Sequence, residues 1–268
     1  MPSSTSSSAP HFAVFDIETT GFCFAHDDRI LEVAVVRLDG SGNLIDEYHT
    51  LVNPKRDVGS SGTHGIKAKD VAQAPEFKEV AGDIALRAKD AIIVGHNVVY
   101  DVNFLRAELK RLGSHVAEPA AICTLELSRD VYPQSATRRL SNICADLNLP
   151  LPYSQAAIDD ARATAQLLKH LLDVMPASER KQLLKEMPAP WTWPDVAPSG
   201  KSVLRPAAGK KAKPSYIAAL VDKLPSVHDI TTQVAKYLEL LDRVLRSDDH
   251  ARGSEGAGGP CSRVGHRA

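Results

Sequence analysis

Asp16 and Glu18 stand two residues apart in Val14-Phe15-Asp16-Ile17-Glu18-Thr19-Thr20-Gly21, a stretch that reads as a buried strand ending at a turn glycine. Side chains alternate across a strand, so the two acids share one face while Phe15 and Ile17 take the other. Two carboxylates on one rigid element repel each other and lose hydration. They need a cation between them, or a proton on one of them. The octapeptide by itself also allows a plainer reading, two surface acids on a half-exposed edge strand.

Two more acids bear on that choice. Asp101 falls in the first turn of a helix expected from Val98 to about Leu112, where the helix dipole favours an anion. Asn97 is placed to cap that helix and Gly113 to close it. Asp159-Asp160 lies in a long helix expected from about Ala157 to Val174. Asp159, Arg162, Gln166, Lys169 and Asp173 form its solvated stripe. Asp160, Thr164, Leu167 and Leu171 border the buried face. Asp160 is then the acid aimed at the protein, and Asp159 pairs with Arg162 at the surface. Four acids from three segments can meet at one point. Oxygen ligands alone suit magnesium or manganese and argue against zinc or copper. Two such ions can activate a water and stabilise the leaving oxygen of a phosphodiester.

The elements that must position these acids follow from periodicity and turn residues. Strands are expected at 11–19, 30–38 and 44–52, the last two paired through the turn Asp39-Gly40-Ser41-Gly42-Asn43. A glycine-bearing loop carries Thr63-His64-Gly65-Ile66. A helix then runs from about Pro75 to Ala88, followed by the short buried strand Ala91 to Val94. A further short strand, Ala120 to Cys123, leads into two helical pieces and the long helix. Three strands followed by alternating helix and strand imply an α/β fold, a mixed sheet flanked by helices.

Phe15-Asp16-Ile17-Glu18-Thr19-Thr20-Gly21, His96-Asn97 with Asp101, and Asp160 in Asp-Asp-Ala-Arg-Ala-Thr-Ala resemble the three motifs of the DEDD exonuclease superfamily. Within it, residues 10–175 are similar to the proofreading epsilon-subunit type of bacterial DNA polymerase III. The resemblance implies a ribonuclease H-like, five-stranded mixed sheet and two-metal hydrolysis of nucleotides from a 3′ end, with Mg2+ or Mn2+ as cofactor. By matching position, Asp16, Glu18, Asp101 and Asp160 would be the metal ligands. Thr19, His64, Ile66 and Asn97 would be substrate-binding residues, with His64 and Ile66 on the loop beside the terminal nucleotide. For His64, a simple loop histidine is an equal alternative.

One position departs from the family. The DEDDh branch places a histidine, the general base, five residues before the last aspartate, and here that position is Gln155. An amide can orient a water but cannot usefully take its proton. Loss of a general base removes roughly 10²–10⁴-fold in rate. The other branch uses a tyrosine four residues before the aspartate, where this chain has Ala156. Three functions are therefore expected in order: a 3′–5′ exonuclease on DNA, attenuated by Gln155; a module that holds a 3′ end and barely cuts; an RNA-directed exonuclease of the same fold.

Composition bounds the rest. Over 268 residues the net charge is −1, so nucleic acid must be met by a local patch and not by a global field. Four cysteines without Cys-x-x-Cys spacing argue against a zinc or disulfide framework. Residues 1–10 read as a disordered leader without a secretory signal, and no apolar run approaches a membrane span, which places the chain in the cytoplasm with no membrane partner. The exonuclease domain is expected over 11–176. A short helix and a proline-rich, basic linker follow over 177–214, expected to be a solvated tether whose start Trp191 and Trp193 pin to the domain. Residues 215–246 read as short helices that could dock a polymerase or another replication or repair protein, and 247–268 as a disordered tail.

Overall fold

The computed structural model describes residues 10–25, 27–59, 64–114, 121–134, 139–150, 156–186 and 193–206, and the elements below are those among them. Five strands, β1 (His11–Thr19), β2 (Ile30–Leu38), β3 (Leu44–Leu51), β4 (Ala91–Gly95) and β5 (Ala121–Cys123), form one sheet in the order β3-β2-β1-β4-β5. The β1–β2 and β2–β3 pairs are antiparallel, and β4 and β5 join in parallel. The helices are α1 (Ala68–Val71), α2 (Phe77–Ala88), α3 (Val99–Arg111), α4 (Thr124–Val131), α5 (Leu140–Asp146), α6 (Ala157–Val174) and α7 (Ala177–Glu186). This is the mixed five-stranded sheet with flanking helices that the motif order implies.

Alternation along β1 divides the core in two. Ala13, Phe15 and Ile17 pack with α2 and α3, through Phe77, Ile84, Phe104 and Leu105. Phe12 and Val14 pack on the opposite face with α6, through Ala161, Leu168 and Leu172. Asp16 and Glu18 continue the second series toward the carboxyl end of the strand, so they fall on the α6 face. The small residues Ala161 and Ala165, both buried, let α6 lie close to the sheet. Its polar side holds Asp159 beside Arg162 at 3.6 Å, the surface pair expected from the helical spacing.

Two local expectations change. Asn97 does not cap α3 with its side chain: Val98 holds the N-cap position, and Asn97 is exposed in the left-handed region at φ 71°. The chain turns there directly from β4 into the helix, so the asparagine serves the turn through its backbone.

The second change concerns the basic linker. Residues 193–206 carry no helix or strand and stay largely exposed, but they are docked on the domain and are not a free tether. Trp193 stacks on Phe15 with ring centroids 6.1 Å apart, which is the pinning role expected for it. Asp83 of α2 accepts hydrogen bonds from the backbone N–H of Ser199 and Gly200 and from the Ser199 hydroxyl, at 2.8, 3.0 and 2.9 Å. A Cβ on Gly82 would stand 2.3 Å from the Ala197 carbonyl oxygen, so only glycine lets the segment lie on the helix. Further on, the N–H of Leu51 donates to Val203 O at 2.8 Å and the N–H of Val203 to Thr50 Oγ1 at 2.9 Å. The segment thus covers the end of edge strand β3 as a strap. Gln155, Thr63, Trp191 and the helices expected over 215–246 lie outside the described residues.

Candidate active site

Asp16 and Glu18 lie near the carboxyl end of β1, Asp101 in the first turn of α3 just beyond β4, and Asp160 in the first turn of α6. β1 and β4 are parallel neighbours, so their carboxyl ends open on the same edge of the sheet. Gly95 makes the approach possible: a Cβ there would stand 3.1 Å from Asp101 Oδ2 and 3.0 Å from Val98 Cγ2. Asp101 is buried, and the backbone N–H of Ile17 donates to it.

The four carboxyl groups feel one another. Burial, then the charges of Asp101, Asp160, Glu18 and Glu32, hold the Asp16 proton well above the usual carboxylate range. Burial raises Glu18 to about 8 and Asp101 to about 8. Burial and then the adjacent Asp159 raise Asp160 to about 6. Asp16 and Glu18 nevertheless keep part of their surface open. Among the described residues no group of three or more His, Cys, Asp or Glu side chains is placed so that it could hold a metal ion. What stands there is an oxygen-only donor set that holds protons against its own repulsion. That chemistry fits hard divalent cations, whose charge would replace the protons.

The turn after β1 is braced from α3. Thr19 Oγ1 donates to the Gly21 carbonyl at 2.7 Å and accepts from the Tyr100 hydroxyl, whose oxygen also lies 3.1 Å from Gly21 O. Thr19 is therefore engaged in fixing the strand end. His64 is 2% exposed, and its Nδ1 accepts from the N–H of Ile66 at 3.1 Å. Burial and the nearby Arg205 charge lower its pKa, which keeps the ring neutral. Ile66 is fully buried with Leu31, Leu51, Val58 and Val71, so in this structure its side chain packs into the core.

Two residues here carry no motif. Glu32 is 1% exposed on β2, directly opposite Glu18 in the antiparallel register. Its Oε2 accepts the N–H of Ala157, the first residue of α6, at 3.1 Å. An acid inside Ile30-Leu31-Glu32-Val33-Ala34-Val35 is the same signal that marks Asp16 and Glu18. Arg205, from the strap, reaches Glu32 Oε2 at 2.5 Å and the His64 carbonyl at 2.6 Å. Sequence offers no sign of that, because the contact depends on where the strap docks.

Residues 13–168 match the RNase_T family model, described as exonuclease. The chain is 35% identical over 164 residues to a PolC-type DNA polymerase III of Caldanaerobacter subterraneus subsp. tengcongensis, covering 60% of this chain and 12% of that protein. It is 31% identical over 160 residues to the 3′-5′ exonuclease DinG of Staphylococcus epidermidis, covering 59% of this chain and 17% of that protein. The chain therefore spans only a small part of the length of these relatives. Among solved structures, exonuclease X in complex with 5′ overhanging duplex DNA matches with TM-score 0.50 and 22% identity, over 65% of this chain and 99% of that one. Exonuclease I matches with TM-score 0.53 and 18% identity, over 66% and 42%. At those identities the likeness is one of fold.

Proposed function

The chain belongs to the RNase_T family of exonucleases, and we propose that it removes nucleotides from DNA 3′ ends with two divalent cations, Mg2+ or Mn2+, held by Asp16, Glu18, Asp101 and Asp160. One observation carries this reading: carboxyl groups from β1, α3 and α6 converge at the carboxyl ends of β1 and β4, close enough that the charges of Asp101, Asp160 and Glu18 add to burial in raising the proton affinity of Asp16. Bound there, the cations would lower the pKa of a water and stabilise the oxygen leaving phosphorus.

The chain's own residues supply position. Ile17 N–H orients Asp101, and the Thr19–Tyr100–Gly21 contacts hold the strand end in place. Glu32 holds the first turn of α6 through Ala157, and with it Asp160. At the position of the family's general base, Gln155 has no proton-accepting group, which favours slow turnover. The names of the relatives, a polymerase III and a 3′-5′ exonuclease, support DNA replication or repair as the setting, with single-stranded DNA or a DNA 3′ end as the partner.

The test is labelled single-stranded DNA with the full chain and either metal. Mononucleotides released from the 3′ end are expected, and none from Asp16→Ala. Absence of release under both metals would overturn the proposal. Matched RNA oligomers in the same assay decide the substrate.

A further inference from the structure

Arg205 lies beyond the stretch that matches the family, which ends at residue 168, yet its guanidinium ends beside the acidic groove. The approach is built, not incidental. Its strap is fixed upstream by Trp193 on Phe15, by the three hydrogen bonds to Asp83, and by the Leu51–Val203 backbone bond. Arg205 Nη2 meets Glu32 Oε2 at 2.5 Å, Nε reaches Oε1 at 3.4 Å, and Nη1 donates to His64 O at 2.6 Å. Two parallel bonds to one carboxylate are the geometry that a guanidinium provides and an ammonium does not.

Glu32 needs this partner. It is buried, it faces Glu18 across the strand pair, and its charge adds to the repulsion on Asp16, Glu18 and Asp160. Arg205 acts in the opposite direction on Glu18 and Asp160. Two divalent cations would balance the four proposed ligands, and the guanidinium would balance the fifth acid.

We propose that Arg205 is a positioning residue of the nuclease centre: it neutralises Glu32 and ties that carboxylate, the first turn of α6 and the His64 loop into one unit. The inference rests on the two-cation reading above and adds to it an element from beyond the residues that match the family model. It makes the strap part of the active centre.

The test titrates Mn2+ alone by calorimetry into full-length protein without nucleic acid. Arg205→Ala uncovers one negative charge, so Mn2+ binding should tighten about threefold to tenfold while kcat on single-stranded DNA falls about tenfold. Glu32→Gln uncovers the guanidinium and should weaken Mn2+ binding by a similar factor. The double variant should return the affinity to near the wild-type value without restoring kcat, because the tie to α6 and the loop remains cut. Arg205→Lys should hold the metal affinity but recover only part of kcat, lacking the paired bonds. Should Arg205→Ala not fold, Glu32→Gln and the double variant read the same charge balance. Melting temperatures that fall with no change in Mn2+ affinity in any variant would reduce Arg205 to a structural clamp and overturn the inference. A wild type that binds no Mn2+ would instead overturn the nuclease reading itself, so the two failures are distinct.

Discussion

Glu18 and Glu32 stand directly opposite each other where β1 and β2 pair antiparallel, so two carboxylates project from adjacent strands on one face of the sheet. Like charges at such positions are destabilising even in water. Here burial strengthens the effect, and Glu18 holds its proton up to about 8. A sheet keeps such a pair only when something positive is due to arrive. Arg205 answers Glu32, and the proposed cations answer Glu18 with its three partners.

Asp16→Asn should stabilise the metal-free protein while abolishing hydrolysis. The substitution keeps the shape and removes the need to hold a proton that burial and four neighbouring acids impose. One pKa unit of strain corresponds to about 1.4 kcal/mol. For a domain of this size that is about 3–6 °C. A rise of at least that much in chelator, with loss of the Mn2+-induced rise, is the expected result in a thermal melt. Equal or lower stability of the variant in chelator would contradict the electrostatic account of the groove.

The metal-free protein should lose stability as pH rises. Glu18 and Asp101 are raised to about 8 and Asp160 to about 6, from ordinary values of 4.5, 3.8 and 3.8. For an acid whose folded pKa is raised, the folded state holds the extra proton. The stabilising contribution is full below the unfolded value and is lost through the folded one. The window runs from about pH 4 to 8. Melting temperature in chelator should fall across it, whereas Mn2+ affinity should climb as the cation displaces fewer protons. A flat profile in chelator, or an affinity that falls with pH, would count against these assignments.

Gln155→His should speed release of nucleotides by roughly 10²–10⁴-fold if the imidazole reaches the attacking water. The rate should then titrate with a group near neutral pH. Single-turnover kinetics on single-stranded DNA separate this from product release. An unchanged rate would mean that another group takes the proton.

Asp83→Ala should release the strap. Three donors lose one carboxylate acceptor, and hydrogen bonds to charged groups contribute about 1.5–3 kcal/mol each, with partial compensation by water. Faster amide exchange over residues 193–206 and a kcat reduced toward that of Arg205→Ala are expected. Exchange unchanged from wild type would show that Trp193 and Val203 suffice to hold the segment.

Much of this centre is visible in the residues themselves. β1 and β2 run over the residues expected of them, and α6 begins and ends where its stripe does. Asp16 and Glu18 fall on one face because a strand has period two. Asp160, and not Asp159, borders the buried side because a helix has period 3.6. The errors have a common origin. Asn97 looks like a cap from its type alone, but the chain turns through its backbone. The segment 193–206 looks like a free tether from its composition alone, but contacts with Asp83 and Phe15 dock it on the domain.

The amino-acid sequence by itself determined the strands β1 and β2, the long helix and the faces on which the four candidate acids lie, because each depends on contacts within a few residues or on one repeating period. Only the tertiary structure decided that Glu32 stands against Glu18 and that Arg205, 173 positions farther along, reaches it. No local pattern encodes such a meeting. It follows from a strap docked at several separate points and from the need of a buried carboxylate for a partner, and neither exists until the chain is folded.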